Sequence, residues 1–350
     1  MEFDLNRLLR PHIATLKPYS SARDEYSGKE GIFLDANENP FGSITEEVFN
    51  RYPDPYQKDL KARIGQIKGI DPSRLFLGNG SDEAIDLLFR AFCRPGVDNV
   101  ILLPPTYGMY EVSAGINDVA TIKVPLTADF QLDVPAILAA FNPQSKILFI
   151  CSPNNPSGNK LNRTDIRTLI SSFEGLVVVD EAYIDFSDEP SFIGDLDHHP
   201  NLLVMQTFSK AWGLASLRLG MAYASAEIIS ILNKIKPPYN ISGLTQAKVL
   251  AALQDLSSMH RMTADILDAR EQLQSGLLKL PAVHKIHPSH ANFLLVQINR
   301  PKEIYNELVR HKIIVRDRSK VTLCEGCLRI TVGTPTENKQ LLEVLSQITS

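Results

Sequence analysis

The sequence predicts an α/β fold in which a large unit, built on a mostly parallel sheet flanked by helices, precedes a smaller α+β unit. Four short apolar runs, separated by segments with helical periodicity, support the first half of this prediction. The runs occupy residues 100–103, 146–151, 176–179 and 202–205. Continuous apolar strands are typical of parallel sheets that helices cover on both faces. Each run ends in polar residues, which predicts a site at the carboxyl edge of the sheet.

Length and charge narrow the class of protein. The chain has 350 residues, enough for one large domain and a smaller one. Lys and Arg number 36 against 40 Asp and Glu, so the net charge is −4, and no basic excess indicates nucleic acid or an anionic membrane surface. The first residues lack the basic and apolar regions of a signal peptide, and no apolar run approaches the ~18 residues of a membrane span. We expect a cytoplasmic protein.

Along the chain, predicted helices and strands begin to alternate at about residue 57. A helical pattern over 57–68 leads to an apolar run at 75–77, and Gly80-Ser81-Asp82 then opens an amphipathic helix. A long helical region begins near residue 243 and extends to about 278. Beyond it, strand candidates alternate with helical pieces, the strands at 293–296, 313–315 and 328–332 and the helices near 301–310 and 337–347.

A break in both patterns indicates a domain boundary. The segment Lys236-Pro237-Pro238-Tyr239-Asn240 fits neither strand nor helix, which favours a boundary near residues 236–243. We predict an N-terminal arm at 1–40 that packs with the small domain, a large domain at 41–240 and a small domain at 241–350.

The four cysteines do not make a disulfide framework in a chain of this length. Cys324 and Cys327 have the spacing of a zinc or redox pair, but no second pair and no nearby histidine completes a metal site. We interpret the spacing as incidental, with a thiol pair as the alternative, and expect no metal.

The most informative residue is Lys210, which follows the apolar run at 202–205. Lysine is rarely buried without a partner, and an amine kept neutral by desolvation can attack carbonyl groups. The hydroxyls of Thr207 and Ser209 and the guanidinium of Arg218 suit a phosphate. An aldehyde that carries a phosphate is pyridoxal phosphate. The alternative for Lys210 alone is a strand-capping lysine that points to water.

The other strand ends offer the remaining groups that this cofactor requires. Asp180 is placed to pair with the pyridine nitrogen, and Tyr183 and Asn155 to donate to the phenolic oxygen. Tyr107 is a candidate for stacking on the ring, and the backbone at Gly80-Ser81-Asp82 for binding the phosphate. Each has a structural alternative: a helix cap for Asp180, a turn for Asn155, core packing for Tyr107 and a surface ion pair for Arg218.

Several longer motifs carry a family resemblance. They are Asp35-Ala36-Asn37-Glu38-Asn39-Pro40, Arg51-Tyr52-Pro53, Gly80-Ser81-Asp82-Glu83, Pro105-Thr106-Tyr107-Gly108-Met109-Tyr110, Asn154-Asn155-Pro156-Ser157-Gly158, Asp180-Glu181-Ala182-Tyr183, Ser209-Lys210 through Arg218, and Cys327-Leu328-Arg329-Ile330-Thr331-Val332-Gly333. In order and spacing they resemble fold-type I pyridoxal-phosphate aminotransferases, and within these the histidinol-phosphate aminotransferase family. The resemblance extends from about residue 18 to 338. Ser157 replaces the usual threonine, which leaves the reaction class unchanged.

The resemblance implies a fold, an assembly and a reaction. The large domain would hold a seven-stranded sheet and the cofactor, and two copies of the chain would form a homodimer with shared active sites, in which Tyr52 reaches the cofactor phosphate of the partner subunit. The reaction would exchange an amino group between L-histidinol phosphate and 2-oxoglutarate, giving imidazole-acetol phosphate and L-glutamate in histidine biosynthesis. Lys210 would both tether the cofactor and carry the proton.

The resemblance also implies a substrate site. Arg329 would bind the anionic end of either substrate, helped by Tyr19, Asn37 and Arg316. Without the resemblance, the residues indicate only that Arg329 needs an anion, because it begins an apolar strand, where an unpaired arginine is costly. A structural salt bridge would satisfy it equally.

Three other functions fit the same scaffold. A threonine-phosphate decarboxylase would release CO₂ without an amino acceptor, and an aminotransferase for aromatic or branched amino acids would differ in its pocket. A regulator that senses pyridoxal phosphate would need a DNA-binding unit, and the roughly 34 residues before the first motif are too few and too little basic for one.

Overall fold

The computed structural model describes residues 3–19 and 31–349. Its large sheet has seven strands, which are β1 (Leu75–Asn79), β2 (Asn99–Leu102), β3 (Ala120–Lys123), β4 (Ser145–Cys151), β5 (Leu176–Asp180), β6 (Leu202–Thr207) and β7 (Leu219–Tyr223). Their order in the sheet is β1-β7-β6-β5-β4-β2-β3. The pairs from β6 through β3 are parallel, and only β7 runs antiparallel to both of its neighbours. The mostly parallel seven-stranded sheet is confirmed.

Helices cover both faces of this sheet. Up to residue 235 they are α1 (Leu5–Leu8), α2 (Pro11–Thr15), α3 (Lys58–Lys68), α4 (Ser81–Phe92), α5 (Met109–Ile116), α6 (Val134–Ala140), α7 (Arg163–Ser172) and α8 (Ala226–Ile235). Alternate strand residues point to opposite faces, so Val177 and Val179 pack with α3, α6 and α7, whereas Leu176 and Val178 pack with α4, α5 and α8. This double cover explains why the strands are continuously apolar.

The C-terminal part folds around a second sheet. Its elements are α9 (Gly243–Ala252), α10 (Leu256–Leu277), β8 (Val283–Ile286), β9 (Phe293–Ile298), α11 (Pro301–Arg310), β10 (Arg316–Asp317), β11 (Cys327–Thr331) and α12 (Pro335–Thr349). The strands follow the order β10-β11-β9-β8 and are antiparallel throughout. One face packs against α10, α11 and α12, and the other, through Phe293 and Leu295, joins the core of the large sheet.

Two details differ from the expected elements. The helical region at 243–278 is two helices, because Asp255 accepts a hydrogen bond from the Ser258 amide at 3.0 Å and so caps a new helix. The strand expected at 313–315 begins later, at Arg316, where it pairs with β11.

The N-terminal arm packs differently from the prediction over residues 3–16. Leu8 lies in the apolar cluster of α4 and α8, the Arg10 amide donates to the Ala91 carbonyl at 3.0 Å, and Lys234 Nζ donates to the carbonyls of Ile13 and Ala14 at 2.8 and 2.9 Å. These described residues therefore contact the large domain and not the small one, because their apolar side chains join the cluster on that face of the large sheet. The domain boundaries remain predictions.

The cysteines are all buried and unpaired. Burial raises the pKa of Cys324 to about 12 and that of Cys327 to about 11, so neither thiol is poised for redox chemistry. Within the described residues, no helix combines the length and the apolar character that crossing a bilayer requires.

Candidate active site

A cleft of about 530 Å³ opens at the carboxyl edge of the large sheet. Residues that follow β1, β2, β4, β5 and β6 converge on it, as the strand ends predicted. Its lining comprises Gly80, Ser81, Asp82, Tyr107, Cys151, Asn155, Asp180, Ala182, Tyr183, Thr207, Ser209, Lys210 and Arg218. The structure thus brings together every residue expected at the cofactor from within one chain.

One end of the cleft is built to bind an anion. The amides at the N-terminus of α4 face it, and no side chain caps this helix end. Gly80 has φ +76°, and a Cβ there would lie 2.7 Å from Arg218 Nη2, so the backbone and the guanidinium approach closely only because this residue is glycine. A Cβ on Gly220 would lie 2.3 Å from the Ser81 nitrogen, which explains how β7 supports this helix end.

Hydroxyl groups complete this anion site. Thr207 and Ser209 flank the cleft after β6, and the Ser209 amide donates to Thr207 Oγ1 at 3.1 Å. Arg218 lies 3.7 Å from Asp82 and remains half-exposed. Together the helix amides, hydroxyls and guanidinium form a site that fits a phosphate group.

Asp180 provides a buried carboxylate in the same cleft. It ends β5, is 3% exposed, and accepts hydrogen bonds from the Tyr110 hydroxyl at 2.6 Å and the Ala182 amide at 3.0 Å. Burial raises the pKa of this carboxyl, and the hydrogen bond from Tyr110 opposes the rise. A buried carboxylate of this kind is suited to stabilise a cationic ring nitrogen.

Lys210 lines the cleft together with these groups. Its Nζ atom is 5.6 Å from the centre of the Tyr183 ring. Burial lowers the pKa of the amine, Arg329 lowers it further, and Asp180 opposes them. The amine is therefore more readily neutral, and more nucleophilic, than an ordinary lysine. The alternative of a lysine that simply points to water does not agree with this lining position.

The small sheet reaches the cleft through one arginine. Arg329 on β11 donates from Nη1 to Asn155 Oδ1 at 2.5 Å, and its guanidinium lies 5.2 Å from the centre of the Phe293 ring. Burial lowers the pKa of Arg329, and its Nε atom is buried without a hydrogen-bond partner among the described residues. Tyr183 packs edge-on against Phe293 at 5.2 Å, so the two sheets meet at this cleft.

Besides Arg329, which contacts the lining residue Asn155, four predicted residues lie outside the lining of the cleft. Tyr19 is 70% exposed, Asn37 is exposed, and Tyr52 stacks on Tyr239 at 4.5 Å on the surface of its own chain. Arg316 is exposed and pairs directly with Arg329 in the sheet. The roles of these four residues remain predictions.

Sequence reasoning assigned no role to several residues that shape the site. Tyr110 supplies the strongest contact to Asp180, and it also stacks on Phe149 at 4.6 Å. The available signal was the closeness of the two tyrosines, because Tyr110 lies on the first turn of α5 and Tyr107 just before that helix, with their rings 5.5 Å apart. Asn154 donates to Ser157 Oγ at 2.7 Å and to the Pro105 carbonyl at 2.9 Å, so Ser157 holds the loop that presents Asn155.

The fold and the cleft define a class of protein. The chain belongs to the aminotransferase class I and II family, whose family model matches residues 32–345. It is 58% identical over 345 residues to the histidinol-phosphate aminotransferase of Cytophaga hutchinsonii and 53% identical to that of Parabacteroides distasonis, with 99% of each chain covered. The histidinol-phosphate aminotransferase of Sinorhizobium meliloti, solved in complex with pyridoxal-5'-phosphate, has a TM-score of 0.79 at 24% identity and covers 90% of this chain and 89% of its own.

Proposed function

We propose that the protein is a pyridoxal-phosphate-dependent transaminase that exchanges an amino group between L-histidinol phosphate and 2-oxoglutarate. The observation that carries this proposal is a single cleft holding a desolvated amine, a buried carboxylate and an uncapped helix N-terminus, with a half-buried arginine beside it. The names of full-length relatives at 58% and 53% identity support the choice of substrate.

The residues of the cleft fit the cofactor. The amides at Gly80, Ser81 and Asp82, the hydroxyls of Thr207 and Ser209, and Arg218 would hold its phosphate. Asp180 would face the ring nitrogen, Asn155 and Tyr183 the phenolic oxygen, and Tyr107 the ring. Lys210 would hold the aldehyde carbon. When bound, pyridoxal phosphate withdraws electrons from the carbon that bears the substrate's amine, so that this carbon can lose its proton.

The chain itself contributes proton transfer, orientation and charge. Lys210 Nζ would accept the proton from that substrate carbon, and its lowered pKa favours the neutral amine that this role requires. Asp180 favours positive charge at the deep end of the cleft. Arg329 binds the anionic group of the substrate, which is a phosphate in histidinol phosphate and a carboxylate in glutamate. Tyr19, Asn37 and Arg316 assist it.

A second copy of the chain would complete the site. Residues 31–56 expose large apolar side chains, with Ile32, Leu34, Phe41, Ile44 and Val48 each at least 76% exposed. A patch of this kind is typical of a protein interface. In the proposed homodimer Tyr52 of the partner subunit would reach the cofactor phosphate.

A half-reaction tests the proposed substrate. The purified protein loaded with pyridoxal phosphate is mixed with L-histidinol phosphate, L-threonine phosphate or an aromatic amino acid, and the cofactor absorbance is followed. We expect conversion with L-histidinol phosphate that 2-oxoglutarate reverses. No conversion with L-histidinol phosphate, or CO₂ release from threonine phosphate, would contradict the proposal.

A further inference from the structure

Three arginines share one face of the small sheet. Arg316 on β10 lies directly opposite Arg329 on β11, and just beyond the end of β10 the Arg318 amide donates to the Cys327 carbonyl at 2.9 Å. The positive charges of Arg318 and Arg316 both lower the pKa of Arg329, and the charge of Arg318 also acts on Cys324 of the shared core. Arg318 therefore lies close to Arg329, on the same side as Arg316.

This face points towards the cleft. Leu295, the β9 partner of Arg329, belongs to the core shared with the large sheet, as does Cys327, the partner of Arg318. The opposite face, which carries Leu328 and Ile330, packs under the helices of the small domain. The arginine face is thus the one that borders Asn155.

No carboxylate of the described chain neutralises this face. Within residues 3–19 and 31–349, none of the three arginines lies within 4.0 Å of a carboxylate. Arg316 and Arg329 face each other across two paired strands, and like charges in this arrangement destabilise a sheet. The neighbouring carboxylate, Asp317, points to the other face and accepts from the Ser319 amide at 2.8 Å. The Nε atoms of Arg318 and Arg329 are both buried without a hydrogen-bond partner.

The two candidate ligands of this face differ in charge. A phosphate monoester carries about −1.5 to −2 at pH 7 and three acceptor oxygens, whereas a carboxylate carries −1 and two. One guanidinium fork satisfies a carboxylate. Arg329 already donates to Asn155, and Arg318 opposes its positive charge from nearby. The charge and donors that Arg318 adds to Arg316 and Arg329 therefore suit a phosphate dianion better than a carboxylate.

We propose that Arg318 is a specificity-determining residue that favours substrates ending in a phosphate over those ending in a carboxylate. The proposal rests on the function proposed above, because it needs one site to accept both groups in turn. Arg318 adds charge and donors beside Arg329, and the phosphate uses them more fully than the carboxylate does.

The test compares the two half-reactions in Arg318→Gln. We expect kcat/KM for L-histidinol phosphate to fall about tenfold or more, mainly through KM, and that for L-glutamate to fall no more than about threefold. Arg318→Lys, which keeps the charge, should recover part of the loss. Arg300→Gln, at an exposed arginine that precedes α11 and pairs with Glu303, is the matched control and should leave both values unchanged.

Several outcomes would overturn the proposal. Equal losses for both substrates would indicate that Arg318 has a structural role. No loss for either substrate would indicate that Arg318 has no role in specificity. An Arg318→Lys variant that recovers none of the loss would contradict a role for the positive charge. Should Arg318→Gln fail to fold, Arg318→Met, which keeps the aliphatic stem, is measured in the same way.

A further measurement separates this proposal from the proposed function. Binding of inorganic phosphate to the cofactor-loaded protein is measured by calorimetry, without turnover. If the wild-type protein does not convert L-histidinol phosphate, the proposed function fails, and Arg318 is then judged by whether Arg318→Gln weakens phosphate binding about tenfold. Unchanged phosphate binding would refute the role of Arg318 itself.

Discussion

Two regions of the site satisfy their charged groups in different ways: the cofactor end, around Asp180 and Lys210, and the arginine end, at Arg318 and Arg329. At the large sheet, Asp180 accepts from the Tyr110 hydroxyl and the Ala182 amide, and these contacts offset part of the cost of its burial. At the small sheet, Arg318 and Arg329 each keep a buried Nε atom without a hydrogen-bond partner among the described residues. The carboxylate end is complete within the chain, whereas the arginine end needs an anion from outside it.

This difference matches what each end is proposed to bind. A cofactor that remains through every turnover can be held by groups with fixed partners, because preorganised contacts need no rearrangement. A substrate site that takes a phosphate and then a carboxylate cannot include a permanent counter-ion, since that ion would compete with both. Under the proposed function, arginines without a carboxylate partner at this end are what exchange of ligands requires.

The largest expected effect is at the cofactor end, in Lys210→Ala. Turnover should fall roughly a thousandfold or more, because both the attachment point and the proton acceptor are lost. The absorbance of the lysine-bound cofactor should disappear, while the midpoint of urea unfolding stays close to that of the wild type. Lys339→Ala, at a lysine that is 77% exposed, is the control and should change neither. Near-native turnover in Lys210→Ala would refute the assignment of this end.

Asp180→Asn should separate function from stability at the same end. We expect turnover to fall about a hundredfold or more, because the charge opposite the ring nitrogen is removed. The free energy of unfolding of the cofactor-free protein at neutral pH should not fall and is expected to rise, since a buried carboxylate without a cationic partner is costly.

The pH dependence gives the sign of this stability effect. Burial raises the pKa of Asp180 above its ordinary 3.8, so the folded protein binds more protons than the unfolded chain between 3.8 and the raised value. Stability contributed by this group is therefore lost as pH rises through that window. Urea unfolding of the cofactor-free protein across this range should show a shallower decline in Asp180→Asn. An unchanged slope would show that Asp180 does not carry the effect.

The arginine end should respond through substrate affinity. Arg329→Gln is expected to lower kcat/KM for both L-histidinol phosphate and L-glutamate by roughly tenfold to a hundredfold, mainly through KM, because it removes a charge-assisted contact to either anion. Arg310→Gln, an exposed arginine paired with Glu307, serves as the control. A loss confined to kcat would place Arg329 with the reacting groups and remove the distinction between the two ends.

The cofactor end was largely predictable from the sequence, whereas the arginine end was not. Asp180 and Lys210 follow continuous apolar runs, and parallel strands bring their carboxyl ends to one edge whatever their order in the sheet. The face occupied by Arg318 depends on which strand pairs with β10 and in which register, and a slip of one residue would send its side chain to the other face.

Other differences have equally local causes. Strand β7 escaped prediction because it includes Gly220 and because only a short 3-10 turn at Ala215–Leu217 separates it from Lys210. The arm at 3–16 was assigned to the wrong domain because its few apolar residues carry no information about which surface they join. Tyr110 was overlooked because its partner, Asp180, is 70 residues away in the chain.

The smallest expected effect tests how the cofactor end is held. Tyr110→Phe keeps the ring stacked on Phe149 and removes only the hydroxyl that donates to Asp180. Because that hydrogen bond favours the charged carboxylate, its loss should raise the pKa of Asp180, move the acid limb of kcat/KM to higher pH and lower kcat about threefold to tenfold. Tyr223→Phe removes a similarly buried hydroxyl, bonded to Met221 Sδ, and is the matched control. If both variants move the acid limb equally, Tyr110 acts through general packing; a shift in Tyr110→Phe alone would establish it as the positioning residue of Asp180.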